Sequence, residues 1–200
     1  MIKKVKLLLL IAIIISSTVG CQKENKVEKK TSNHVVETVD IDLDEYDEFI
    51  QKLSKTDFFA EVDMGLDYPV LLVTEGVYDN LDGNNRVTID AEVYYIVDKS
   101  VQKVGDLESG GTAYPLCCDS GAFYVSGNNF AAKLIYDDKK NELVVSDSVN
   151  VQYEEGTGNP TYTGTHDGKE IELTEEEYYQ FYDYQETAKI INFTPVESSY

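Results

Sequence analysis

The sequence predicts a mainly β domain of the α+β class, built as an antiparallel meander with a short helix near each end. Three observations support this prediction. From Tyr68 onward, short segments rich in β-branched and aromatic residues recur about every 8 to 12 residues. Turn sequences containing Asp, Asn, Ser and Gly separate these segments. Apolar residues at helical spacing are confined to the segments 42–59 and 174–187.

The first element is a predicted helix in "DLDEYDEFIQKLSKTDFF". Asp42 is a suitable N-cap, and Glu45 completes a pair like a capping box. A helix of about 11 to 14 residues is expected, with a further helical turn over Phe58–Val62. The apolar positions that predict it are Leu43, Tyr46, Phe49, Ile50 and Leu53.

Strands follow, because the hydrophobic pattern changes to alternation and short apolar runs. "YPVLLVTEGVY" and "VTIDAEVYYIV" are separated by the loop "DNLDGNN", and "DKS" connects the second of them tightly to "VQKVGDL". Asp167-Gly168 predicts the turn of a hairpin within "TYTGTHDGKEIEL". The other predicted strands are "TAYPLCC", "AFYVS", "FAAKLIYD" and "ELVVSDSVNVQYE".

The second helix is predicted by Thr174 and Glu177, which form a capping box before an aromatic run. Its apolar face is expected to pack on the sheet, although such a stripe could also present an aromatic surface to a partner. The expected face holds Tyr178, Phe181, Tyr182 and Gln185, flanked by Tyr179 and Tyr184. "KIINFTPV" is expected to form one last strand.

Residues 1–20 have the pattern of an export signal. Three lysines precede the uninterrupted apolar run Leu7–Ile15, and small residues follow it. The run is far shorter than the roughly 20 residues of a comfortable membrane span, so a cleaved signal is expected rather than a permanent anchor.

Thr18-Val19-Gly20-Cys21 resembles the lipobox of bacterial lipoproteins, although Thr18 stands where that family usually has Leu. The resemblance implies cleavage after Gly20 and attachment of a diacylglyceryl group to Cys21. The mature protein would then be anchored at the outer face of the cytoplasmic membrane, with two acyl chains supplying stable attachment. Residues 21–40 are polar and charged, which predicts a flexible tether. Residues 41–200 are expected to form one globular domain.

The charge of the chain limits its partners. All 37 acidic residues follow the signal, which contains 3 of the 17 Lys and Arg residues, so the mature chain carries 14 − 37 = −23. Nucleic acid is therefore not expected as a partner, since phosphate binding needs clustered cations. A cationic or cell-surface protein is the partner class that this charge favours.

The most suggestive motif is "LCCDSGAFYV", in which Asp119-Ser120-Gly121-Ala122 resembles the active-site signature of aspartic proteases. That chemistry needs a second carboxylate. The downstream pair of large apolar residues followed by Gly, which such enzymes also carry, is missing from this chain. A hairpin turn at Asp119-Ser120-Gly121 is therefore preferred. Cys117 and Cys118 are expected to be free, mostly buried thiols, because adjacent residues lie too close for an easy disulfide; a strained, reducible disulfide between them is the alternative.

Other sites are weakly indicated. An irregular calcium loop using Asp79, Asp82 and Asn84 is an alternative to a polar turn, but the EF-hand spacing fails. His166 is the only candidate base in the folded part, with Ser120 as its nucleophile in a hydrolase interpretation. No metal and no cofactor is expected.

The chain is also similar, over residues 70–195, to small secreted or lipid-anchored proteins of Gram-positive anaerobes. The segment "VYYIVDKSVQKVGDLESGGTAYPL" carries that resemblance, which implies no particular activity. The leading hypothesis is a lipid-anchored surface protein with a non-enzymatic binding or structural role, in a Gram-positive bacterium. The alternative is a secreted hydrolase, centred on Asp119 or on Ser120 and His166. A solute-binding lipoprotein is disfavoured, because two lobes around a cleft need a longer chain.

Overall fold

Antiparallel strands supply most of the regular structure. The computed structural model describes residues 46–80, 83 and 85–196, and the mainly β, antiparallel fold class predicted from the sequence is confirmed. The elements in chain order are α1 (Asp47–Ile50), β1 (Phe58–Val62), β2 (Val70–Thr74), β3 (Tyr78–Asp79), β4 (Arg86–Val87), β5 (Asp90–Val97), β6 (Ser100–Glu108), β7 (Cys117–Asp119), β8 (Ala122–Ser126), β9 (Phe130–Asp137), β10 (Glu142–Tyr153), β11 (Pro160–His166), β12 (Lys169–Glu172), α2 (Glu175–Thr187), β13 (Lys189–Ile190) and β14 (Thr194–Pro195).

The strands form two main sheets and one small ribbon. The order in the five-stranded sheet is β14-β1-β2-β5-β6, and in the seven-stranded sheet it is β12-β11-β10-β9-β8-β7-β13. The ribbon consists of β3 and β4. Strands close in sequence are mostly neighbours within each sheet, as a meander requires. The exceptions are β13 and β14, which return to pair with β7 and β1.

Alternation along the strands builds four layers. Leu72 and Phe123, from different sheets, belong to the same buried core, so the two sheets pack face to face. Leu71 points to the other face of the five-stranded sheet and packs with Tyr46 beside α1. Val149 lies on the outer face of the seven-stranded sheet and packs with Tyr178 of α2. The layers are therefore helix, sheet, sheet and helix, and β2 is buried along its whole length because both its faces are covered.

Three two-residue hairpins have both central residues at positive φ, as type I′ turns require. All three turns are predicted from the sequence, at "DKS", at Asp119-Ser120-Gly121 and at Asp167-Gly168. The φ angles of each pair are 49° and 63° at Asp98 and Lys99, 49° and 77° at Ser120 and Gly121, and 48° and 72° at Asp167 and Gly168.

The first helix differs from its prediction. Within the described residues the helix ends at Ile50. Leu53 lies beyond it, in a turn, and the Leu53 amide donates to the Ile50 carbonyl. The expected helical turn over Phe58–Val62 is wrong, because that segment is β1, which pairs with β2 along its whole length. The predicted cap residues Asp42 and Glu45 lie outside the described residues.

Two predicted strands are also corrected. Only the end of "TAYPLCC" is a strand, because a turn closes from the Tyr114 amide to the Gly111 carbonyl and Pro115 has no amide hydrogen to donate. "KIINFTPV" forms two short strands in different sheets rather than one. Between them, Ile191 and Phe193 are buried in the core between the sheets, so residues 189–195 form a strap that joins the two sheets.

Candidate functional site

The β7–β8 hairpin holds the aspartic-protease-like motif, and its geometry is that of a turn. Asp119 is exposed and pairs with Ala122 across the two turn residues. Gly121 has a φ of +77°, and a Cβ at that position would lie 3.0 Å from the Met64 carbonyl oxygen. The glycine is therefore required by the turn conformation and by close backbone packing. The strand, turn, strand arrangement predicted for this segment is what the structure contains.

Ser120 and His166 are not brought together. Ser120 follows β7, and three strands, β8, β9 and β10, lie between β7 and the strand β11 that carries His166. Neighbouring strands are about 4.8 Å apart, so even β8 and β11 are separated by roughly 14 Å. That distance is far beyond the reach of a hydrogen bond. In the part of the chain that the structure describes, no three His, Cys, Asp or Glu side chains gather as metal ligands would.

Cys117 and Cys118 are free and buried, and they point to opposite faces of the seven-stranded sheet. Cys118 lies in the core between the sheets, whereas the Cys117 thiol on the other face donates to the Pro115 carbonyl at 3.3 Å. Burial raises the pKa of the Cys117 thiol to about 12 and that of Cys118 to about 11. Both thiols are consequently protonated near neutral pH and are poor nucleophiles.

Most of the other residues singled out in the sequence lie outside the described part of the chain. Asp79 is an exposed residue of β3, while Asp82 and Asn84 of the calcium hypothesis lie outside the described residues. Gly20 and Cys21, the cleavage and lipidation positions, also lie outside them.

His166 has a partner that the sequence analysis missed. Asp147 on β10 pairs with His166 on β11 in the antiparallel register, and its Oδ1 is 2.5 Å from the His166 Nδ1. Asp147 and His166 lie on different strands, so only the register of β10 with β11, which runs without a shift from Asp147↔His166 to Tyr153↔Pro160, reveals that they are opposite each other. The Asp147 carboxylate also accepts from the Ser146 hydroxyl at 2.8 Å.

The pair changes the charge states of both groups. Partial burial opposes ionisation of Asp147, but the hydrogen bonds from His166 and Ser146 lower its pKa below the usual value of 3.8. The hydrogen bond to Asp147 and the charge of Asp167 raise the pKa of His166 above 6.5. The ring nitrogen Nε2 stays on the exposed side, 3.6 Å from the Asp167 carboxylate. Such a histidine is oriented as a base would be, but within the described residues no hydroxyl or thiol hydrogen-bonds to Nε2.

The second feature of this face is a tyrosine patch, which consists of Tyr153, Tyr162, Tyr178 and Tyr179. Tyr178 is buried at its centre, with ring centroids 5.1 Å from Tyr162 and 5.3 Å from Tyr179. Tyr153, at the end of β10, and Tyr179, on α2, remain 59% and 53% exposed. Single exposed aromatic side chains are common on the surfaces of monomeric proteins. Here two exposed tyrosines adjoin buried ones, so the four side chains form one contiguous aromatic surface.

The patch is held rigidly by α2. Thr174 and Glu177 form the predicted capping box, with the Glu177 carboxylate accepting from the Thr174 amide at 2.8 Å. The Tyr182 hydroxyl donates to the Gly127 carbonyl at 3.0 Å and accepts from the Tyr178 hydroxyl at 3.2 Å. Through Tyr182, Tyr178 is hydrogen-bonded to the body of the domain. This agrees with the prediction that this face of α2 packs on the sheet.

Several carboxylates are close in sequence to the exposed tyrosines. Glu154 follows Tyr153 directly, and Glu175, Glu176 and Asp183 lie three or four residues from Tyr179 on α2, where side chains are neighbours. Burial, and then the charge and hydrogen bond of Glu175, raise the pKa of the Tyr162 hydroxyl. The sequence analysis identified the helical tyrosines but missed Tyr153 and Tyr162. Tyr153 follows Val151 by two residues on one face of β10, so alternation could have found it, whereas Tyr162 on β11 joins them only because it pairs with Val151 across the strands.

Comparison of the chain with protein-family models, with curated proteins and with solved structures finds no match. Among the described residues, no helix is both long and apolar enough to cross a membrane.

Proposed function

We propose that this protein is a lipid-anchored extracytoplasmic domain that acts by binding a partner, with the tyrosine patch as its binding surface. The lipobox-like Thr18-Val19-Gly20-Cys21 supports the anchor, and the tether of residues 21–40 would hold the domain away from the membrane. The observation that carries the binding role is the exposure of Tyr153 and Tyr179 beside the packed tyrosines Tyr162 and Tyr178.

Tyrosine favours this role on physical grounds. Its ring provides a large contact area with few rotatable bonds, and its hydroxyl keeps the exposed surface compatible with water. Tyr162 and Tyr178 are already packed, so the exposed rings stand on ordered neighbours rather than on a mobile loop. A partner would therefore meet a preorganised surface, which reduces the entropy lost on binding.

The anchor is tested with Cys21→Ala in the producing cells. The variant should leave the membrane fraction or accumulate as an uncleaved precursor, and it should no longer incorporate labelled palmitate. Correctly cleaved Cys21→Ala protein that stays in the membrane fraction would contradict the lipid anchor.

The binding surface is tested by chemical labelling of tyrosines on intact cells and on the detergent-solubilised protein. A partner on the patch should protect Tyr153 and Tyr179 in cells, while the control Tyr94, on the five-stranded sheet, should label equally in both samples. Equal labelling of Tyr153 and Tyr179 in the two samples would count against the proposed surface.

A hydrolase is the second candidate, and the pair of Asp147 and His166 is the observation that favours it. If the pair serves as a base, Asp147→Asn should abolish a hydrolytic activity that Asp119→Asn leaves intact. Retention of that activity by a folded Asp147→Asn variant would remove the pair from the chemistry.

A further inference from the structure

We infer that the partner of the tyrosine patch is a basic polypeptide segment, whose arginine or lysine side chains lie over the exposed rings of Tyr153 and Tyr179. This inference rests on the proposed function, since it names the chemistry of the partner at the same surface. Two independent features of the patch, its ring faces and its charges, lead to it.

The first feature is the chemistry of the rings. A tyrosine face carries partial negative charge and attracts a guanidinium or ammonium group placed within about 6 Å of the ring centre. Tyr153 and Tyr179 are more than half exposed, so each has surface that a cation can reach. Burying that aromatic surface with the aliphatic stem of an arginine adds a hydrophobic contribution to the electrostatic one.

The second feature is an excess of unpaired negative charge. The elements that build the patch contain no Lys or Arg from Asn141 to Thr165, nor from Glu170 to Ala188. Within the described part of the chain, the carboxylates near the exposed tyrosines, which are Glu154, Glu175, Glu176 and Asp183, take part in no ion pair.

Four carboxylates elsewhere in the domain have a lysine of the chain beside them. Lys103 bridges Glu92 at 2.8 Å and Asp106 at 2.7 Å on the five-stranded sheet. Lys140 lies 3.6 Å from Asp137 and 3.7 Å from Glu142 at the β9–β10 turn. Lys103 and Lys140 thus supply cations at those positions, none of the described residues supplies one at the patch, and a basic partner would supply it there.

An acidic protein or a nucleic acid would be repelled by these carboxylates, because both carry negative charge. An uncharged partner would gain the ring contacts but leave the negative charge uncompensated. The combination of aromatic faces and carboxylates therefore selects for arginine and lysine, which interact favourably with both.

The test uses the full-length protein in zwitterionic detergent micelles and a fluorescent peptide of alternating arginine and serine. A peptide with citrulline in place of each arginine keeps the shape and removes the charge. Fluorescence anisotropy should show binding of the arginine peptide that weakens as salt is added, with binding of the citrulline peptide at least about tenfold weaker.

Two pairs of variants separate the patch from the charge of the whole molecule. Tyr153→Ala with Tyr179→Ala should weaken binding roughly fivefold or more, while Val145→Ala, at another exposed apolar position, should not. Glu176→Gln with Asp183→Asn should weaken it, whereas Glu108→Gln with Asp138→Asn, which removes the same charge at unpaired positions outside the patch elements, should have little effect. Far-ultraviolet circular dichroism checks that each variant is folded.

The outcomes are distinguishable from failure of the proposed function. Equal binding of the arginine and citrulline peptides, or equal effects of the two charge pairs, would overturn the basic partner. If Tyr153 and Tyr179 are nevertheless protected on intact cells, the patch is a binding surface for a partner of other chemistry. Absence of protection in cells together with tight, patch-dependent peptide binding would instead contradict the proposed function in those cells and leave the chemical preference standing.

Discussion

Asp147 and His166 face each other across β10 and β11, and the Asp147 carboxylate lies 2.5 Å from the His166 Nδ1 on the exposed side of the seven-stranded sheet. The contact ties the β11–β12 hairpin to the strand before it. It also couples the protonation of two groups whose pKa values move in opposite directions.

The first prediction concerns that coupling. Asp147→Asn should lower the pKa of His166 toward 6.5, because the hydrogen bond and the charge that raise it are lost. Nuclear magnetic resonance of the imidazole protons across pH measures the change, in a His34→Gln background that leaves one histidine. Asp119→Asn, which removes an equal charge at a distant turn, should leave the His166 titration unchanged.

The pH dependence of stability follows with a definite sign. The pKa of His166 is raised in the folded protein, so its contribution is fully present below about 6.5 and is lost as pH rises through the raised folded value. The pKa of Asp147 is lowered, so its contribution is present above about 3.8 and is lost as pH falls through the lowered folded value. Urea unfolding should therefore show that His166→Gln costs most between those limits. If the loss of unfolding free energy in His166→Gln instead grew as the pH rose above about 8, the pairing of His166 with Asp147 would be contradicted.

The second prediction compares two turn glycines. Gly121 and Gly168 have similar φ angles of +77° and +72°, but only Gly121 has a backbone oxygen where a Cβ would lie. Gly168→Ala should cost about 1 kcal/mol through its φ angle alone, and Gly121→Ala should cost more because the Met64 carbonyl must shift. Equal free energies of unfolding for the two variants would show that packing against Met64 has no effect.

The third prediction concerns the thiols. Cys117 and Cys118 should react slowly with iodoacetamide in the native protein near neutral pH, because both are buried and their pKa values are raised to about 12 and about 11. Mass spectrometry should find both alkylated once the protein is unfolded in guanidinium. Rapid labelling of either thiol without denaturant would mean that the β7–β8 hairpin opens readily.

The fourth prediction addresses the C-terminal strap of residues 189–195. Phe193 is 2% exposed and belongs to the core between the sheets, so Phe193→Ala should cost about 3–5 kcal/mol. The exposed Thr194, next to it on β14, provides the control, and Thr194→Val should change stability by much less. Denaturant unfolding checks both variants.

Local chemistry predicted much of this fold. Asp167-Gly168 identifies its hairpin because the type I′ turn requires positive φ, and Thr174 with Glu177 identifies the start of α2 because both side chains bond to backbone or to each other there. These features depend on neighbours in sequence. Alternation likewise identifies β8 and β9 with the observed ends.

Features that depend on pairing between segments far apart in the chain could not be predicted from the sequence. The contact of Asp147 with His166 depends on the register in which β10 pairs with β11, and no local pattern specifies it. Segment 58–62 has apolar residues that suit either a helix or a strand, and only pairing with β2 decides between them. The tyrosine patch combines β10, β11 and α2, so its members are neighbours only after the sheet has formed.

The strap also has a consequence for the order of assembly. Residues 189–195 lie C-terminal to every strand they join, so they are synthesised after both sheets. A partly synthesised chain could form its hairpins, but it would lack Ile191 and Phe193 between the two sheets. Until that segment is in place, apolar surface between the two sheets is exposed, so the last residues of the domain decide when the fold is complete.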